Sequence, residues 1–298
     1  MSSDTANLSV GSYSLIDPKQ PRPSGRVYSS MRTSPGAKTV AFAGAHLDIN
    51  PDVIERAIEM YRSGQVAGVV FSGKMGCGKD TLAVKLNETL VAKEFAPAVV
   101  HATSDPIRRE LGQAIALIQA AGSMQQGEID VACAMGLSDH VAKHLAEELF
   151  PLTELGAVSP HSRTDLNRHL LVYLADEGRR AVDPTYWTKL FFAEVLGSIA
   201  EGNSSFLTGC RYPNEIIPAQ ALGILTVRIE VSPEVQAARL KKRDGHESTK
   251  EALENPNECA LDSFSGFNLV VGNDDSFEPT IRSIAKNVDP HVSLLRSL

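Results

Sequence analysis

One stretch limits what this chain can become more than any other: Val66–Leu90, which reads VAGVVFSGKMGCGKDTLAVKLNETL. Val66, Val69, Val70 and Phe71 form a short apolar run of strand type that stops at Ser72-Gly73. From Lys79 the apolar residues change to helical spacing at Leu82, Ala83, Leu86 and Leu90, so the pattern predicts a strand, a glycine loop and a helix. The loop, Gly73-Lys74-Met75-Gly76-Cys77-Gly78-Lys79, satisfies G-x-x-x-x-G-K. Glycines let a chain curl until several backbone N–H groups face one anion. The helix start adds the positive end of its dipole, and Lys79 adds a full charge. One position departs from the pattern: Asp80, followed by Thr81, stands where a hydroxyl for Mg²⁺ is expected. A carboxylate beside a phosphate costs about 4 kcal/mol per charge pair at roughly 4 Å in a moderate dielectric, unless a divalent cation lies between them. Asp80 therefore makes a metal more necessary.

A chain of 298 residues can bury a core as one large domain, or as one domain with insertions. Its net charge of −7 gives no overall attraction to nucleic acid or to an anionic membrane, which weighs against a polymeric substrate. The four cysteines, Cys77, Cys133, Cys210 and Cys259, are scattered without a C-x-x-C pair and read as free thiols of a reducing compartment. No apolar run approaches a bilayer span and no signal-type segment opens the chain, so the expectation is a cytoplasmic protein without a membrane partner.

Residues 1–36, rich in Ser, Pro and Gly, are expected to be a disordered tail. Residues 37–65 form an N-terminal extension with a strand at Lys38–Gly44 and a helix at Pro51–Ser63 capped by Asn50. The main domain, 66–290, continues with a strand at Ala96–His101 and a helix opened by Pro106, with further helix to about Phe150. Two amphipathic helices follow, Thr164–Arg179 and Pro184–Ala200. Strands are then expected at Ser204–Thr208, Leu225–Val231 and Phe267–Val271, with helices at Pro213–Leu222, Pro233–Arg243 and Phe277–Val288. Alternation of this kind predicts an α/β fold with a parallel sheet covered on both faces and ligands at the carboxyl edge of the strands. Three loops leaving that edge carry charge: Gly73–Lys79, Thr103–Arg109 and Gly209–Glu215.

Phosphoryl transfer needs a held donor, neutralised charge and an acceptor in line. A phosphate acceptor is already ionised and calls for cationic clamps, whereas a hydroxyl acceptor gains from a carboxylate base. Arg108, Arg163, Arg179, Arg180, Arg211, Arg239 and Arg243 are more clamps than an alcohol acceptor requires, and the guanidinium fork suits phosphate oxygens. Arg239 and Arg243 precede a polar segment and fit a lid over the donor, about 239–265. Trp187, the single tryptophan, reads first as a core residue, with base stacking as the minority role.

Six runs carry a family resemblance: GKMGCGKDTLA; SDPIR; SRTDLNRHLLVYLADEGRRAVDPTYW; TGCRYPNEI; RLKKRDGHES; and FNLVVGNDDSFEPTI. In this order, over about residues 66–288, the chain resembles phage-type deoxynucleoside monophosphate kinases of the P-loop nucleoside monophosphate kinase group. The resemblance implies a three-layer P-loop fold with a helical acceptor-binding insertion, about 106–201, and a lid. It implies ATP as phosphate donor, Mg²⁺ as cofactor and a small nucleotide acceptor, in the host cytoplasm for a phage-encoded chain. By the same resemblance, Gly73, Gly76, Gly78, Lys79 and Thr81 hold the donor phosphates, with Lys74, Met75, Cys77 and Asp80 completing the loop. Arg163, Glu177, Arg180 and Trp187 line the acceptor site together with Arg108, while Arg211 and Glu215 edge it. Asn273 lies at the base end of the donor site, and Lys79, Arg163, Arg180, Arg239 and Arg243 act on the transferred group. The family carries an acidic residue just before the R-(F/Y)-P-N-E turn, where this chain has Gly209-Cys210. That shifts metal ligation to Asp80 or Asp105.

Two other readings compete. In one, the acceptor is the hydroxyl of a hydroxymethylated pyrimidine in DNA, with Asp105 as general base, and nucleic acid enters as a partner only there. In the other, the chain is a nucleotide-binding module without catalysis. The identity of the acceptor base and the oligomeric state, a homodimer included, are not written in these motifs.

Overall fold

The computed structural model describes residues 51–63, 66–92, 97–153, 159–162, 164–247, 249 and 253–287. The tail 1–36, the strand expected at Lys38–Gly44, the cap Asn50 and Arg163 lie outside the described residues. In chain order the elements are α1 (Pro51–Arg62), β1 (Gly68–Ser72), α2 (Lys79–Ala92), β2 (Val99–Ala102), α3 (Asp105–Ala120), α4 (Met124–Met135), α5 (Asp139–Thr153) and α6 (Asp165–Tyr173). After a wider turn at Leu174–Arg180 come α7 (Tyr186–Ala200), β3 (Ser205–Thr208), α8 (Pro213–Ala221), β4 (Leu225–Glu230) and α9 (Pro233–Asp244). The last elements are α10 (Pro256–Cys259), β5 (Leu269–Gly272) and α11 (Phe277–Asn287). The chain divides into two compact units, one of the residues up to Ala102 and from Phe192 onward, the other of Thr103–Phe191.

The first unit is α/β. Its five strands lie in the order β2-β3-β1-β4-β5, and every neighbouring pair is parallel. The registers Val69↔Phe206, Phe71↔Val227 and Ile229↔Val271 align large apolar side chains across the sheet. They meet Leu82, Ala83 and Leu86 of α2 and Ile281 and Ile284 of α11. Each such side chain removed from water contributes about 1.5–3 kcal/mol. All five positions of β1 are buried, as a central parallel strand covered on both faces requires.

Strands β2 and β5 start later than the sequence expectation. At the sheet edge, β2 begins at Val99 because Asn87 of α2 occupies both backbone groups of Ala98, donating to its carbonyl at 2.9 Å and accepting from its N–H at 2.7 Å. Strand β5 begins at Leu269 because Asn268 turns its Oδ1 to the Thr226 N–H at 2.8 Å, while the Phe267 ring lies beneath the Arg228 guanidinium.

The second unit is helical, with Leu111, Ile118, Val131, Leu145, Leu170 and Leu174 in its core. Ser123 caps α4 by accepting from the Gln126 N–H, and Gly136 ends it at φ 61°, a conformation that favours glycine. The helix expected over Thr164–Arg179 is not regular throughout. It changes at Leu174 to a π-type turn, closed by Ala181 N–H donating to Asp176 O at 2.8 Å. The extra residue per turn re-aims Glu177, Arg179 and Arg180 relative to a continuous α-helix. Among the described residues, no helix is long and apolar enough to cross a membrane.

Candidate functional site

The glycine loop leaves the carboxyl end of the central strand β1 and enters α2 at Lys79. Its shape depends on residues without side chains. Gly76 has φ 77° and Gly78 φ 90°, and a Cβ on Gly78 would stand 2.7 Å from the Asn273 amide nitrogen. A Cβ on Gly73 would meet Cys77 Sγ at 2.5 Å and the Ile229 carbonyl oxygen at 2.6 Å.

The loop is held from its back. Gln236 of α9 donates to Met75 O at 2.8 Å, and Asn273, after β5, donates to Cys77 O at 2.8 Å with Arg239 on the same oxygen at 3.4 Å. Leu240 packs where Gly76 has no side chain. The start of the segment expected to be a lid is thus a helix seated on the loop. Asn273 is 1 % exposed; its amide nitrogen braces the loop at Cys77 O, while its Oδ1 has no partner among the described residues.

The front is different. The amides of Gly76, Gly78, Asp80 and Thr81 have no hydrogen-bond partner among the described residues. Lys79 is only 8 % exposed, and no carboxylate pairs with it among the described residues. Asp80 and Thr81 are exposed on the first turn of α2. Burial pushes the Cys77 thiol above its usual pKa, only partly offset by the Lys79 charge, so this loop position is neutral.

Two carboxylates missed by the sequence reading secure the loop's second and third residues. Glu258 of α10 accepts from Met75 N–H at 2.8 Å through Oε2 and pairs through Oε1 with the Arg211 guanidinium. Asp262 pairs with Lys74 at 2.6 Å and with the buried Arg228 at 3.1 Å. No periodicity or short motif signals a contact between residues 183 apart.

At the end of β3, Ser72 donates to Cys210 O at 3.0 Å, tying this turn to the glycine loop. Glu215 is buried and accepts from the N–H of Arg211 at 2.6 Å and of Tyr212 at 3.1 Å. Its carboxylate closes the first turn of α8. Arg243 pairs with Asp244 through two bonds of 2.7 Å. That bonding is the main reason its pKa is raised, with further contributions from the charges of Asp80 and Glu258.

In the helical unit, Trp187 is 3 % exposed and donates its indole N–H to Ala175 O at 3.0 Å. This is core packing, the role that its sequence reads first. Arg108 donates to Pro160 O at 2.7 Å, and Asp105 opens α3 with interactions of its own. Arg180 pairs with Asp176, while Glu177 is exposed. Arg179 is a brace, paired with Glu110 at 2.8 Å, donating to Met135 O at 2.8 Å and lying over the Tyr186 ring.

The chain's own geometry thus defines an α/β protein with an amide-lined glycine loop at the carboxyl end of its central parallel strand. A scan against protein-family models finds no match, and a search of curated proteins finds none.

Proposed function

We propose that this chain is a P-loop kinase that transfers the γ-phosphate of ATP to a deoxynucleoside monophosphate. The observation that carries the reading is the loop's front, where the amides of Gly76, Gly78, Asp80 and Thr81 flank Lys79 in the chain and neither they nor its ammonium have a partner among the described residues. A polyphosphate would accept from several of these amides at once, and the Lys79 ammonium would add a full charge beside it. Asp80, exposed beside that front, fits a nucleotide-bound Mg²⁺, which takes one or two carboxylates with phosphate oxygens and water. Among the described residues, no group of three or more His, Cys, Asp or Glu is arranged as a metal cage. Mg²⁺ bound with the nucleotide would neutralise charge on the phosphates. An acceptor phosphate is already ionised, so the chain needs no general base. Arg108, Arg163, Glu177 and Arg180 are the acceptor-side candidates by resemblance, with Arg211 at the β3 turn and Arg239 on the loop itself.

A second reading has one observation in its favour. Arg179, Arg180, Arg211 and Arg243 already have carboxylate partners, so the surplus of free clamps that the sequence suggests is smaller in the fold. That favours a hydroxyl acceptor, the hydroxymethylpyrimidine of DNA. The test is a panel of deoxynucleoside monophosphates, their modified forms and a DNA duplex, each with ATP and Mg²⁺ at low and high salt. Diphosphate product from a monomer, little affected by salt, supports the first reading. Transfer only to duplex, lost steeply as salt rises, supports the second. ATP binding with no transfer to any acceptor leaves a non-catalytic module and overturns both.

A further inference from the structure

We propose that Glu258 is a positioning residue of the phosphate site, acting through Arg211. The inference rests on the reading of the glycine loop as a nucleotide site and assigns that site a residue which no motif announces. Glu258 is 6 % exposed, and its carboxylate bridges two loops at the carboxyl edge of the sheet. Oε2 takes the Met75 N–H at 2.8 Å, and Oε1 holds the Arg211 guanidinium. The two sides of the ion pair differ in exposure: the Glu258 side chain is 3 % exposed and that of Arg211 39 %. The acid is therefore an internal anchor, while the guanidinium, with five donors in a planar fork, keeps an open edge. Arg211 follows β3, the neighbour of β1, and its turn is already tied to β1 by Ser72. One buried carboxylate thus sets the guanidinium relative to the loop whose free amides await an anion. Held in this way, Arg211 presents its open N–H groups to a phosphate oxygen without having to be ordered when the ligand arrives. A carboxylate is absent at Gly209, and this one comes from 47 residues beyond Arg211.

The experiment is a double-mutant cycle of Glu258→Gln and Arg211→Gln in the full chain. It reads kcat and KM for phosphoryl transfer, Kd for a nonhydrolysable ATP analogue, and the melting curve. The Glu258→Gln change keeps the shape and an acceptor for Met75 N–H but drops the charge that holds Arg211. The expected result is a fall in kcat on the order of 100-fold, with analogue Kd within about threefold and the melting curve preserved. The double variant is expected to be no slower than Arg211→Gln alone, because both changes remove one interaction. Arg211→Lys leaves Glu258 paired and is expected to lose kcat as well, since an ammonium lacks the fork. Wild-type kcat in Glu258→Gln or Arg211→Lys, or losses that multiply in the double variant, would overturn the proposal while leaving the nucleotide site standing. A wild-type chain that binds no nucleoside triphosphate would instead bring down the reading of the loop, and this inference with it.

Discussion

Alanine at Gly78 puts the loop's architecture under the sharpest test. The residue sits at φ 90°, and a Cβ there stands 2.7 Å from the Asn273 amide nitrogen. Two costs follow. Holding a non-glycine residue at positive φ costs about 1–3 kcal/mol. The new methyl also drives Asn273 off Cys77 O, breaking a buried bond of 2.8 Å; Arg239 still reaches that oxygen, but the Asn273 amide is left unpaired, at about 1–3 kcal/mol more. Gly78→Ala should therefore lose about 2–6 kcal/mol of unfolding free energy. Asn273→Ala should lose only the second part. In the double variant the Asn273 bond is already gone and the clash is relieved, so the loss should fall short of the sum of the two single losses by about the value of that bond. Urea unfolding of all four proteins followed by circular dichroism gives the cycle, with equal m-values showing that the same transition is compared. Additive losses, or a Gly78→Ala protein within about 0.5 kcal/mol of wild type, would refute the reasoning that Asn273 and a left-handed glycine jointly hold the loop.

Lys79→Met should leave the melting midpoint equal to or above wild type, because the largely buried Lys79 side chain has no ion pair among the described residues. Calorimetry should show ATP-analogue affinity reduced at least about tenfold in that variant; undiminished affinity would take Lys79 out of the site. Trp187→Phe should lower stability by about 1–3 kcal/mol by stranding Ala175 O, with the acceptor KM unchanged; a raised KM at full stability would return Trp187 to the site. Burial, then the hydrogen bond to Glu110, pushes the Tyr186 phenol up to about 12. A pKa raised above the unfolded value of about 10 means a stabilisation complete below that pH and lost as pH rises through about 12. Alkaline unfolding should show that loss in wild type and not in Tyr186→Phe, with phenolate absorbance as the readout.

Where sequence and fold agree, the signal was local. Apolar spacing around Gly73–Lys79 located β1, its loop and α2 because all three are decided within one stretch, and Ser232 marked the start of α9, where its side chain accepts from Val235 N–H. Boundaries set by distant side chains were not legible: Asn87 fixes where β2 starts and Asn268 where β5 starts, each by bonds to another element. The apolar positions Leu166, Leu170, Tyr173 and Leu174 keep helical spacing up to the π-type turn at Leu174–Arg180, so that spacing does not mark the change. Glycine and lysine advertised the candidate site, but its bracing did not. Glu258, Asp262 and Asn273 lie in segments whose composition resembles any polar loop, and they reach Gly73–Lys79 only through the tertiary fold. The arginine count misled for a related reason, since a sequence does not show which guanidinium groups are already matched by carboxylates.

Fixing the carbonyls of Met75 and Cys77 from behind has a consequence for the sign of charge this hollow accepts. In a trans peptide the oxygen of one residue and the hydrogen of the next point in opposite directions. Drawing those two oxygens inward therefore turns the hydrogens of Gly76 and Gly78 out. At those two peptides a ligand meets hydrogens in place of carbonyl lone pairs, and reversing that polarity would require Gln236 and Asn273 to let go of the chain.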